Sequence, residues 1–143
     1  MKDRRSLFTL SRFHTLTLCL VCTTACGALS PTSTVQAGTW GGDHVLLTVS
    51  GTGANAEFDC AHGTIDGPLS LDSSQRFDVA GTFVQEHGGP IRVDEQLVAV
   101  PARYAGTSRQ GAMTLTITLT SNGQSLGPFT LTFGQQGSVF KCL

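Results

Sequence analysis

The chain has 143 residues, of which 9 are basic and 10 acidic, and its formal net charge is −1. Beyond Cys26 there are five basic and nine acidic side chains, a net charge of −4. This mildly acidic part, without a basic patch, excludes nucleic acid as a partner and offers no polybasic attraction to anionic lipid.

Residues 1–26 have the pattern of a bacterial export signal, with a basic start and an apolar stretch from about Leu16 to Ala25. This stretch is shorter than the roughly 20 apolar residues that span a bilayer, so we predict no transmembrane anchor. Residues 23–26, Thr-Thr-Ala-Cys, resemble the lipobox of bacterial lipoproteins, which implies a lipidated Cys26.

Residues 27–37 are small and polar, as in a flexible tether. Ordinary signal cleavage after Ala37 remains the alternative to lipidation. The protein is expected to be exported and either anchored through Cys26, in the periplasm or at the cell surface, or secreted.

Residues 38–143 are expected to form one domain. Apolar residues alternate strictly with threonine at 113–120. They also occupy every second position at 45–49, at 77–79 with Phe83 further on, and at 129–133. This period of two is typical of strands with one buried and one wet face. Turn residues separate the strands, and no helical spacing follows residue 38. The sequence predicts an all-β fold, a single small antiparallel β-barrel of about eight strands.

One hairpin register can be predicted. A three-residue loop at 121–123, Ser-Asn-Gly with Gly123 left-handed, places Met113 opposite Leu131 and Leu115 opposite Phe129, so that apolar side chains share a face. Residues 86–103 depart most from strand patterning. They are interpreted as a long connection, either a recognition loop or a variable linker that contains one short strand at 97–100.

Cys60 and Cys142 are the only cysteines beyond residue 26, and in an exported domain they predict a disulfide that closes the barrel. If Phe58 and Phe140 point inward, so do both sulfur atoms, and the bridge joins the last strand to an early one. Closing a loop of about 80 residues contributes roughly 3–5 kcal/mol to the free energy of unfolding.

Residues 38–40, Gly-Thr-Trp, resemble the Gly-x-Trp signature in the first strand of lipocalins and related calycin barrels. The chain as a whole is similar to small bacterial lipoproteins of unknown function with lipocalin-like barrels. The resemblance implies ligand binding and a basic residue packed over Trp40, for which Lys141 is the match. The barrel either holds one small ligand or is filled by Trp40 and six phenylalanines: Phe58, Phe77, Phe83, Phe129, Phe133 and Phe140.

Three histidines follow residue 26, each near an acid in the sequence: Asp43 with His44, Asp59 with His62, and Glu86 with His87. Histidine with carboxylate suits zinc, but the spacing fits three separate turn histidines equally. No nucleophile elbow occurs, and the disulfide removes Cys60 as a nucleophile. The sequence predicts no catalytic residue, metal or cofactor; the candidate binding residues are Trp40, His44, His62, His87 and Lys141.

These features favour a non-enzymatic, monomeric binding module for a small apolar ligand or an envelope protein, attached to membrane only through lipid. Two alternatives remain. One is a metal-dependent or hydrolytic enzyme that uses His44 and His62. The other is a structural envelope lipoprotein without a ligand.

Overall fold

The computed structural model describes residues 33–90 and 94–142, so the predicted export signal and Cys26 lie outside the described residues. The described part contains ten strands: β1 (Ser33–Thr34), β2 (Gly38–Gly42), β3 (Val45–Val49), β4 (Ala54–Phe58), β5 (Ala61–Ile65), β6 (Ser70–Leu71), β7 (Arg76–Gln85), β8 (Ala99–Arg109), β9 (Ala112–Leu119) and β10 (Ser125–Phe133). Within these residues no helix is long and apolar enough to cross a membrane.

Eight of the strands form a closed antiparallel barrel in the order β10-β2-β3-β4-β5-β7-β8-β9. From β2 to β10 each barrel strand pairs with the next barrel strand along the chain. Strand β6, which lies between β5 and β7 in the sequence, is not part of the barrel and pairs with β1 in a separate two-stranded sheet. Strand β10 closes the circle by pairing Thr132 with Gly41 and Phe133 with Trp40. The predicted all-β barrel is confirmed, and its architecture is compatible with a lipocalin-like fold.

The middle of the barrel is filled. Inward side chains alternate with outward ones on each strand, and Trp40, Leu47, Tyr104, Leu115 and Ile117 are at most 1% exposed. The Tyr104 hydroxyl donates a 2.7 Å hydrogen bond to the Thr82 carbonyl, and burial raises the pKa of this hydroxyl. The Tyr104 ring fits here because residue 63 is glycine. A Cβ atom at this position would overlap the Tyr104 hydroxyl.

One end of the barrel, here called the closed end, is covered by Val35 and Leu69, both buried. The Val35 amide donates to the Leu69 carbonyl at 2.9 Å, and the Trp40 indole donates to the Gln36 carbonyl at 2.9 Å. Residues 33–37, expected to belong to the tether, are thus part of the folded domain. The alternation that predicted the barrel gave no signal for this irregular cover.

The predicted pairs Leu115–Phe129 and Met113–Leu131 are confirmed, but the predicted three-residue loop is wrong. The Leu119 amide donates to the Gln124 carbonyl at 2.8 Å, so four residues, 120–123, form the turn. Leu126 therefore lies opposite Ile117, and a bulge between Leu126 and Phe129 restores the expected register. Gly123 is left-handed, with φ 73°, as predicted.

The connection after β7 is shorter than predicted, because no separate strand occupies 97–100. Strand β8 begins at Ala99 and continues through Pro101, which lies opposite Thr82. Since the barrel wall begins again at Ala99, the connection between β7 and β8 comprises residues 86–98.

The chain after β10 is a tail rather than a final strand, so the prediction of an inward Phe140 on a last strand is wrong: Phe140 is 66% exposed. Strand β10 has already closed the barrel, and the tail crosses the outside of the wall, where a side chain at Gly137 would overlap the Val45 carbonyl and Leu46. The Ser138 amide donates to the Gly42 carbonyl at 3.0 Å. The predicted disulfide between Cys60 and Cys142 is confirmed and fixes the tail.

Candidate binding site at the open end of the barrel

Four connections surround the end of the barrel opposite Val35 and Leu69: residues 43–44, 59–60, 86–98 and 120–124. The last inward side chains before these connections include Phe58, Phe83 and Phe129. The Phe58 ring lies 5.9 Å from that of Phe83 and 5.5 Å from that of Phe129. These rings and Leu126 define an apolar opening, here called the mouth.

Two cavities of about 300 and 140 Å³ lie in the mouth and share the side chains of Phe83, Gln85 and Leu126. The larger is also lined by Val98, Val100, Leu119, Ser121, Asn122 and Gln124, and the smaller by His44, Phe58, Asp59, Ala61 and Phe129. The walls are thus mostly apolar, and the polar groups lie at the rim. Two large apolar side chains near this rim are exposed to solvent, Val98 at 72% and Phe140 at 66%.

Asp59 is the acidic residue that lines the mouth. Its Oδ1 accepts a 2.8 Å hydrogen bond from the Phe140 amide, and its Oδ2 lies 2.5 Å from Nδ1 of His44. The hydrogen bond from the Phe140 amide has the largest effect and lowers the pKa of Asp59; burial opposes it, and the contact with His44 lowers the pKa further. The carboxylate is therefore anionic at neutral pH.

Lys141 attaches the tail to the outer wall beside the mouth. Its ammonium donates to the Ala61 carbonyl at 3.0 Å and forms ion pairs with Glu57 and Glu86. Burial opposes the charge of Lys141, but hydrogen bonds to Glu57 and Glu86 raise its pKa overall. The pKa of Glu86 is lowered, mainly by His62, whose Nδ1 lies 2.6 Å from Oε1 of Glu86, and further by Lys141.

The predicted binding residues do not converge. Trp40 is 1% exposed, at the closed end, where Phe133 packs edge-on against it at 5.2 Å. The basic partner expected over Trp40, Lys141, instead binds Glu57 and Glu86 at the opposite end. His62 lies on the outer wall, because its register partner is Glu57 rather than an inward residue. Of the predicted set, His44 alone lines the mouth.

Each of the three described histidines contacts an acid, but not the nearest one in sequence. His44 pairs with Asp59, His62 with Glu86, and His87 with Glu95. The pKa of His87 is raised, first by its contact with the Gly88 carbonyl and second by Glu95. In the part of the chain that the structure describes, no three His, Cys, Asp or Glu side chains are arranged to hold a metal ion.

A larger cavity, of about 660 Å³, lies on the outside of the barrel and is lined by Asp72, Arg76, Asp78, Thr107 and Thr114, among others. Several of its polar groups are already engaged. The Thr107 and Thr114 hydroxyls bond to each other at 2.8 Å, Asp78 pairs with Arg103, and Asp72 accepts from the amides of Ser74 and Arg76. The mouth is the better candidate, because its apolar walls have no such internal partners.

Sequence reasoning considered the phenylalanines as filling for the barrel and did not single out Leu126, Gln85 or Val98. Position was the available signal: Phe58 directly precedes a turn, and Phe83 and Leu126 lie within two residues of a strand end.

Comparison with known protein families, with curated proteins and with solved structures finds no match to this chain.

Proposed function

We propose that this protein is a non-enzymatic binding module of the cell envelope or the extracellular space, and that its mouth holds the apolar part of a small ligand. The observation that carries the proposal is the difference between the two ends. Val35 and Leu69 cover the closed end, whereas the apolar walls formed by Phe83, Leu126 and Phe129 border cavities at the other end.

The size of the mouth limits the ligand. Its larger cavity, about 300 Å³, is at the lower limit for small-molecule sites. The side chains of Tyr104, Leu115 and Ile117 fill the middle of the barrel, so a ligand cannot pass deeper. A ring or the end of an aliphatic chain fits this space, and the rest of the molecule would remain at the rim.

The export pattern of the sequence supports a location of this site outside the cytoplasm. The described chain enters the barrel at the closed end, where Ser33 pairs with Leu71.

A titration with the uncharged fluorophore Nile red tests the mouth as a binding site. Leu126 lines both cavities and is partly exposed, so Leu126→Trp should fill the mouth without unfolding the barrel. We expect saturable binding that falls at least tenfold in this variant. The control is Thr48→Trp, which places the same ring on the exposed outer face of β3. Equal binding by both variants would move the site away from the mouth.

A protein partner at the rim is the second candidate, favoured by the exposure of Val98 and Phe140. Crosslinking in the native envelope would test it with Phe140→Ser, because Phe140 lines neither cavity whereas Val98 also lines the larger one. Loss of a specific crosslinked product, with Nile red binding unchanged, would favour the partner. Loss of dye binding without any change in crosslinks would favour the small ligand.

A further inference from the structure

The acidic excess of the domain is concentrated around the mouth. Away from the mouth, the described residues include three acids, Asp66, Asp72 and Asp78, balanced by Arg76, Arg103 and Arg109. The strand ends and connections at the mouth carry six described acids and one described base: Asp43, Glu57, Asp59, Glu86, Asp94, Glu95 and Lys141. Arg92 belongs to the same connection as Asp94 and lies outside the described residues.

Among these acids, Asp59 combines charge with position. Glu57 and Glu86 are engaged by Lys141 on the outer wall, and Glu95 contacts His87. Asp59 also has partners, the Phe140 amide and His44, but it differs from the other acids because it lines the smaller cavity, and its side chain remains 35% exposed. Asp43 is exposed in the adjoining turn. A negative charge therefore lies at the edge of an apolar surface.

We infer that the ligand of the mouth is a cationic amphiphile, with its apolar end among Phe58, Phe83 and Phe129 and its ammonium or guanidinium group beside Asp59. This inference rests on the proposed function and narrows it to one class of ligand. Side chains of one sign around an opening raise the local concentration of the opposite charge and repel their own. An anionic amphiphile with the same apolar chain would gain the same burial but meet repulsion.

Three probes with the same octyl chain test the inference: octyltrimethylammonium, octyl glucoside and octyl sulfate, each below its micelle concentration. Calorimetric titration of the exported, purified protein at pH 7.5 and low salt measures their affinities. We expect the cation to bind most tightly and the anion most weakly. Raising the salt concentration should weaken only the cationic probe, because exposed charges are screened within about 8 Å at physiological ionic strength.

Charge-removing variants locate the effect. Asp59→Asn and Asp43→Asn should each reduce the affinity for octyltrimethylammonium by about twofold to fivefold, the range for exposed ion pairs, and leave octyl glucoside unchanged. The matched control is Asp66→Asn, which removes an exposed charge near the other end. Asparagine keeps an oxygen to accept from the Phe140 amide, and Asp43→Asn decides the matter if Asp59→Asn unfolds.

The failure of this inference differs from that of the proposed function. Equal binding of the cationic and neutral probes, abolished by Leu126→Trp, would overturn the cationic class and support the mouth as the site. An equal effect of Asp66→Asn and the two mouth variants would likewise overturn it. Binding of none of the three probes would overturn both.

Discussion

Gly63 shows how a single residue determines what the barrel can contain. A Cβ at this position would overlap the Tyr104 hydroxyl and the Thr82 carbonyl, the two groups that are hydrogen-bonded in the core. The glycine thus allows a buried aromatic ring to cross the middle of the barrel, and the filled middle limits any ligand to the mouth.

We therefore expect Gly63→Ala to lower the free energy of unfolding by about 1–3 kcal/mol, the usual cost of overpacking a core. Urea denaturation measures this difference. Gly51→Ala is the control, because a Cβ at Gly51 meets nothing within 4 Å. Equal stabilities of the two variants would show that the core has space beside Tyr104.

The carboxylates that hold the tail should make stability depend on acid. The pKa values of Asp59 and Glu86 lie below their ordinary values of 3.8 and 4.5, so the folded protein favours the charged forms. Their stabilising contribution is complete above about pH 5 and disappears as the pH falls through the lowered pKa values. The pKa of Lys141 is raised, so its contribution is present at neutral pH and is lost only in strong alkali.

We expect the melting temperature of the wild type to fall between pH 5 and pH 3 more steeply than that of Asp59→Asn or Glu86→Gln. Thermal denaturation at a series of pH values measures both slopes. Thr48→Val, on the exposed outer face of β3, should follow the wild type. If the Asp59 and Glu86 variants also followed the wild type, these carboxylates would not hold the tail.

The histidine pairs show where sequence reasoning at the residue level stops. The acids nearest in the sequence are Asp43 for His44 and Asp59 for His62. The side chains of adjacent residues in an extended chain point in opposite directions. In an antiparallel barrel, by contrast, the turn of one hairpin lies beside the turn of the next hairpin at the same end. His44 therefore contacts Asp59, one hairpin further along the chain.

The short segment at 33–37 acts as an element, although only Ser33 and Thr34 form a strand. Val35 is buried, and the Gln36 carbonyl accepts from the buried Trp40. Removal of this segment would uncover the closed end and leave the indole N–H without its partner. Cleavage after Ala37 would remove all of it, so we propose that export processing occurs before Ser33.

Denatured mass spectrometry of the exported protein should accordingly find Val35 in the mature chain. A chain that begins at Gly38 should be less stable by about 2–4 kcal/mol, from the lost burial of Val35 and the lost indole hydrogen bond. Ala37→Gln, at an exposed position, blocks cleavage after residue 37 and should leave processing unchanged. A mature N-terminus at Gly38 would contradict this account.

At the level of strands, alternation predicted most of the barrel, because a strand buried on one face must show a period of two. The pairing of Leu115 with Phe129 followed from this period alone. The length of the turn at 120–123 did not follow from this period. The turn has one residue more than expected, and the bulge after Leu126 compensates for it, so the pairing further along the strands is unchanged. The tail was also unpredictable, since pairing of β10 with β2 leaves it no edge strand to join.

At the scale of the whole barrel, the two ends differ: one end is closed, the middle is filled, and the other end is an acidic mouth. Sequence predicted the barrel and the disulfide, but not which end is open. That depends on which connections fold over the barrel: Leu69 is buried at one end, whereas at the other end Val98 is exposed beside a cavity. The candidate site was correspondingly missed, apart from His44.

The most direct test of the mouth as the binding site is chemical-shift mapping of the ¹⁵N-labelled domain during titration with octyltrimethylammonium. We expect saturable shifts centred on Phe58, Phe83, Leu126 and Phe129, with smaller shifts at Asp59. Shifts centred on Asp72, Thr107 and Thr114 would assign binding to the outer cavity and contradict the account. So would an unchanged spectrum at probe concentrations just below micelle formation.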